Sequence, residues 1–197
     1  MTVGEMGPQT IYVALRGEGT DVWRPAKANQ VSPNVFLITG SRFDGEVWEF
    51  DPGSVVRVES RIFNSGSTCL VALSLAENPN LTALENAVLR AISLRVSKDA
   101  GAYVEQWLNA VVSARQNTGA GCFINLRVEK GSQLSEIDSP VGHIHATVSG
   151  LSRGLGFMLW LRDGWLDQLE GFSYEESTED INLEQASFDN VREIEQA

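Results

Sequence analysis

The feature that most constrains the fold of this chain is a change in the spacing of its apolar residues. From Thr10 to Ser74 they come in short β-rich runs separated by turn residues, whereas Leu81, Leu84, Val88, Ala91 and Ile92 recur at intervals of three and four. The first pattern belongs to strands, whose side chains alternate between two faces, and the second to one stripe of a helix. The early runs are Thr10 to Leu15, Asp21 to Trp23 with an extension, Val35 to Thr39, Glu46 to Phe50, Val55 to Phe63 and Cys69 to Leu73. Turn clusters such as Ser32-Pro33-Asn34, Asp44-Gly45 and Asp51-Pro52-Gly53 separate them. This predicts a small N-terminal β-barrel. In Glu46 to Phe50 a period of two puts Trp48 and Phe50 on the core face with Glu46 at its rim.

The composition changes over Leu75 to Asn80, and Pro79-Asn80 can end a linker and cap a helix. A second helix is expected from Lys98 to Ala110, capped by Ser97, with Tyr103, Val104, Trp107 and Leu108 on its apolar side. Strands then return. Cys122 to Val128 alternates after a turn near Asn117 to Gly121, as does His143 to Ser149, and Leu155 to Arg162 is almost wholly apolar. The last run suits a strand in the middle of a sheet with both faces covered in part. Asp163-Gly164 suits a two-residue hairpin leading into a strand from Trp165 to Tyr174. The expected fold is α+β: a small all-β domain over residues 1–74, then an α+β domain over residues 75–197. In the second, two helices lie on one face of about four antiparallel strands. From Asp189 onward the low apolar content fits either a helix or a disordered tail.

The chain of 197 residues, 43% hydrophobic with five Trp and eight Phe, can supply sizeable cores. No run approaches the ~18 to 20 apolar residues that span a bilayer, and Met1 to Gln9 lacks the pattern of a secretory signal, so a cytoplasmic protein without a membrane partner is expected. Cys69 and Cys122 have no paired spacing and read as buried free thiols. From Asp163 onward, eleven Asp or Glu stand against Arg192 alone, giving −10 of the chain's net charge of −11. A charge that concentrated attracts cationic partners and repels nucleic acid.

Two stretches carry a resemblance. Gly19-Thr20-Asp21-Val22-Trp23-Arg24-Pro25, with Glu46 to Gly53, resembles a small all-β domain of uncharacterised bacterial proteins. Gly156-Phe157-Met158-Leu159-Trp160-Leu161-Arg162-Asp163-Gly164, with Leu169 to Tyr174, resembles a strand-turn-strand pattern in other such proteins, some of them similar to toxin-immunity proteins. The resemblance implies two parts and, for the second, an immunity role, with no catalytic residue carried over.

Motifs for nucleophilic catalysis and phosphate binding are missing: there is no Gly-x-Ser-x-Gly elbow, no phosphate loop and no Gly-x-Gly-x-x-Gly between strand and helix. His143 and His145 fall on one strand face and could hold a metal if Asp138 or a neighbouring carboxylate completed the set, but local spacing does not complete it. Asp163, Asp167 and Glu170 lie along one hairpin. Glu175, Glu176, Glu179 and Asp180 lack the oxygen spacing of a calcium loop. The residues therefore support a non-enzymatic, cofactor-free binding protein, an immunity or antitoxin protein that occludes a basic toxin. Its expected contact surface is Trp165, Asp167, Glu170, Phe172, Glu175, Glu176, Glu179 and Asp180, aromatics supplying affinity and carboxylates steering the encounter. The alternative is a metal-binding protein or enzyme built on His143, His145 and nearby carboxylates.

Overall fold

A computed structural model describes residues 7–18, 22–64, 66–93, 95–96, 99–129, 131–135 and 137–194. Asp21, Ser97 and Lys98, which the sequence places at a strand start, a cap and a helix start, lie outside them. The chain divides into two compact units, Met1–Ala76 and Glu77–Ala197.

The first unit contains β1 (Gln9–Ala14), β2 (Trp23–Ser32), β3 (Val35–Ile38), β4 (Val55–Ile62) and β5 (Thr68–Leu75). Each pairs antiparallel with the next, and β1 meets β5 in parallel at Tyr12 and Val71, so the ladder returns to its start. Ile11, Val13, Ala26, Ala28, Phe36, Ile38, Val56 and Val58 form the core together with Trp48 and Phe50. The expected strand from Glu46 to Phe50 is corrected to an irregular segment that meets the sheet through an isolated bridge from Trp48 to Leu15. Its facing is nonetheless as the alternation predicts: Trp48 and Phe50 are buried and Val47 is exposed. The Glu46 carboxylate accepts the Trp48 indole N–H at 2.8 Å and pairs with Arg24. These interactions, the indole bond foremost, hold its pKa below the usual carboxylate value.

The second unit is α+β. It comprises α1 (Ala83–Ser93), α2 (Ala100–Asn109), β6 (Ala110–Asn117), β7 (Gly121–Val128), β8 (Val141–Val148), β9 (Leu155–Arg162), β10 (Trp165–Ser173) and β11 (Phe188–Glu193). The strands form one antiparallel sheet in the order β11-β8-β9-β10-β7-β6. It has six strands where the sequence suggests about four. β6 follows α2 without a turn residue to announce it. β11 has only Phe188 and Val191 as apolar residues, and pairing with β8 makes it a strand rather than a helix or disordered tail.

Helix α1 begins in a reciprocal cap. The Glu85 N–H donates to Thr82 Oγ1 at 3.2 Å, and the Thr82 N–H donates to Glu85 Oε2 at 2.8 Å. The cap is thus Thr82 and not Asn80. The stripe Leu84, Val88, Leu89 and Ile92 is buried, as are Tyr103, Val104 and Trp107 of α2. Both helices lie over the sheet face formed by Ile124, Ile144, Leu159 and Leu169, α1 against β8 and β11 and α2 against β7 and β10. Asp163 and Gly164 have φ of 51° and 75°, the positive angles that a two-residue hairpin between β9 and β10 demands.

Candidate functional site

In β9 and β10 the register pairs Leu159 with Leu169 and Phe157 with Gly171 under the helices. Met158 with Glu170, Trp160 with Gln168 and Gly156 with Phe172 fall on the opposite face. Among the described residues no helix covers that face. Trp160 is accordingly 38% exposed, but Met158 is half-buried and Gly156 buried, so this central strand is covered in part on both sides, as its apolar run predicts. The Trp160 indole N–H donates to Glu170 Oε2 at 2.7 Å, and Trp165, paired with Arg162, sits on the same side half-buried.

Phe172 is held down rather than presented. Its ring lies over Gly156, where an added Cβ would come within 2.3 Å of Phe172 Cζ, and it packs edge-on against Tyr174 at 5.6 Å between centroids. The carboxylates are similarly spread and partly engaged. Asp167 pairs with Arg162 at 2.8 Å near the hairpin. Glu175 to Asp180 lie beyond the other end of β10, about 20 Å away at roughly 3.3 Å per residue. The eight residues of the expected surface therefore do not gather into one patch.

What the structure does gather is the loop joining β10 to β11. Glu175, Glu176, Glu179, Asp180 and Glu184 all belong to it. Glu176 accepts the backbone N–H groups of Ser152 and Arg153 at 2.9 and 2.8 Å, and these two bonds hold its pKa below the usual carboxylate value. Thr178 is fully buried, with its hydroxyl donating to Asn117 Oδ1 at 2.7 Å and accepting from the Gly121 N–H at 3.0 Å. Asn117 Nδ2 in turn donates to the Thr178 carbonyl at 2.6 Å. Pinned at Glu176 and Thr178, the loop exposes Glu175, Glu179 and Asp180. Glu175 pairs loosely with Arg153 at 3.3 Å, while Glu179 and Asp180 form no ion pair among the described residues. Glu184 is absent from the expected surface. Its place in the same acidic run was the available signal.

His143 and His145 occupy β8 differently from a simple alternation. A bulge lies between Gly142 and Ile144, and His143 takes a φ of 75°. His145 Nε2 lies 2.8 Å from the Arg153 carbonyl, which can only accept, so this nitrogen carries the proton. Its Nδ1 and the nearby Tyr174 hydroxyl are buried without a hydrogen-bond partner among the described residues. Among those residues no three His, Cys, Asp or Glu side chains assemble as a metal site. The Cys122 thiol, on the helix side of the sheet, has its pKa pushed up to about 11 by burial and is a poor nucleophile.

Comparison with known proteins adds no relative: no family model, no curated protein and no solved structure matches the chain. Among the described residues no helix is long and apolar enough to cross a membrane.

Proposed function

We propose that this is a non-enzymatic binding protein that holds a basic protein partner on the acidic β10–β11 loop, in the manner of an immunity or antitoxin protein covering a cationic toxin. The observation that carries the reading is that the loop is both charged and pinned. A segment already held by Glu176 and Thr178 loses little conformational freedom on binding, so its outward carboxylates act from fixed positions. The same field repels nucleic acid, which makes a protein surface rich in Lys and Arg the fitting occupant. Glu175, Glu179, Asp180 and Glu184 would meet the partner, with Glu176 as a positioning residue. Trp165, Asp167 and Glu170 fall outside this patch. The metal or enzyme reading of His143 and His145 gains no complementary ligand among the described residues. The returning ladder of the N-terminal unit supports its reading as a small β-barrel.

The test is a titration with a lysine-rich ten-residue peptide at low salt, followed by amide NMR. Shifts should centre on residues 175–184, and the triple variant Glu175→Lys, Glu179→Lys, Asp180→Lys should bind at least ~10-fold more weakly. Partners captured from a low-salt lysate should be lost by the same variant. Shifts centred on the Trp160 face, or capture unchanged by charge reversal, would refute the proposal.

A further inference from the structure

Beneath the acidic loop, on the helix side of the sheet, lies a cavity of about 140 Å3. Its apolar walls are Leu84 of α1, Ile124 of β7, Leu155 and Phe157 of β9, and Ile181 and Leu183 from the loop above. The cavity exists because α1 and α2 rest on the β8–β11 and β7–β10 pairs, leaving the corner beside the start of α1 to be roofed by loop residues. It opens to solvent between the loop and the start of α1, and its volume has room for a benzene-sized guest. Leu84, Ile124, Leu155 and Phe157 are each buried to at least about nine-tenths, so a guest would rest on an apolar floor.

The polar end of the cavity sets the charge that it accepts. Arg115 Nε and Nη2 donate to the two oxygens of Glu85 at 2.8 and 2.9 Å, and Glu184 lies 4.0 Å from Nη1, too far for a hydrogen bond. One guanidinium thus stands between two carboxylates, leaving a local charge of −1. Glu85 is fully engaged, since it also accepts the Thr82 N–H, whereas Glu184 is exposed at the mouth with a free oxygen to offer. A ligand carboxylate would face this surplus negative charge, while an ammonium would meet Glu184.

We infer that this cavity is a binding site for a small molecule with a ring-sized apolar body, neutral or bearing an amine, and that it rejects carboxylates. The site does not depend on the loop's outward carboxylates holding a cationic protein. Glu175, Glu179 and Asp180 do not line it, so their charge reversal should leave binding of a neutral guest unchanged and separates the two proposals.

The experiment uses the full chain with benzene, benzylamine and benzoate as probes, followed by methyl NMR of Ile124, Ile181, Leu183 and Leu155. Benzene and benzylamine should give saturable shifts at these methyls, with benzylamine at least ~3-fold tighter and benzoate at least ~10-fold weaker than benzene. Leu183→Trp, which fills the void from its half-buried roof, should abolish binding of all three. Glu184→Gln gives a second readout that does not depend on repacking: benzene binding should stay unchanged and the advantage of benzylamine should disappear. Absence of saturable shifts with benzene and benzylamine would overturn the site, as would shifts away from these methyls. Equal binding of benzoate, or an amine preference that survives Glu184→Gln, would overturn the stated ligand class.

Discussion

Asn78 shows how far one residue can depart from its local context. In sequence it sits in an unremarkable stretch between two domains, yet it is completely buried. Its Nδ2 donates to the carbonyls of Trp107 and Ala110 at 2.7 Å each, satisfying the end of α2, and its own N–H donates to Asn86 Oδ1, which also accepts the Trp107 indole N–H at 3.1 Å. Leaving a buried polar group unpaired costs about 1–3 kcal/mol. Asn78→Ala should therefore lower the unfolding free energy by about 2–4 kcal/mol, read from the urea midpoint with an unchanged slope. Cys122 offers a second prediction at this scale. With its pKa raised from 9.0 to about 11, it holds ~100-fold less thiolate near pH 8 than an unshifted thiol. Its alkylation should be slower by about that factor and rise with pH up to about 11. The alternation of Cys122 with Ile124 and Leu126 already suggested burial. The polar network around Asn78 left no trace, because its partners lie up to 32 residues away.

Elements were legible where the pattern is local. The α1 stripe, the Asp163-Gly164 hairpin and the strand from Cys122 each depend on spacing within a few residues. Strands β6 and β11 were not, since pairing across the sheet creates them. The packing of β10 on β9 gives a test: Gly156→Ala would drive a Cβ into the Phe172 ring, and a thermal melt should show destabilisation of about 1–3 kcal/mol. The attachment of the acidic loop gives another. Because folding lowers the Glu176 pKa, its contribution is complete above the ordinary carboxylate range and disappears as pH falls through the folded value. Amide protection at Ser152 and Arg153, taken as the exchange rate relative to that of an unstructured chain at the same pH, should be high at neutral pH and fall in acid, and Glu176→Gln should lower it at every pH. Protection that does not change with pH in the native protein would show that the two bonds to Glu176 do not hold this loop.

For the molecule as a whole, the charge is unevenly divided. Ten of its eleven net negative charges belong to the chain from Asp163 onward, and the folded C-terminal unit holds that chain as β10, a pinned loop and β11. Glu179 and Asp180 form no ion pair among the described residues, so Glu179→Gln with Asp180→Asn should change stability by no more than about 0.5 kcal/mol. The same pair should reduce both the strength and the salt sensitivity of partner capture, compared across a NaCl series. The sequence by itself determined the helical stripes, the hairpin and the size and sign of the acidic charge, because each depends on neighbours in the chain or on a simple count of charges. Only the tertiary structure decided that Phe172 covers a glycine and that Glu176 serves as an anchor. It alone left a cavity beneath the loop. These outcomes depend on strand register and on which corner of the sheet the helices leave uncovered, and both are fixed by packing between segments distant in sequence.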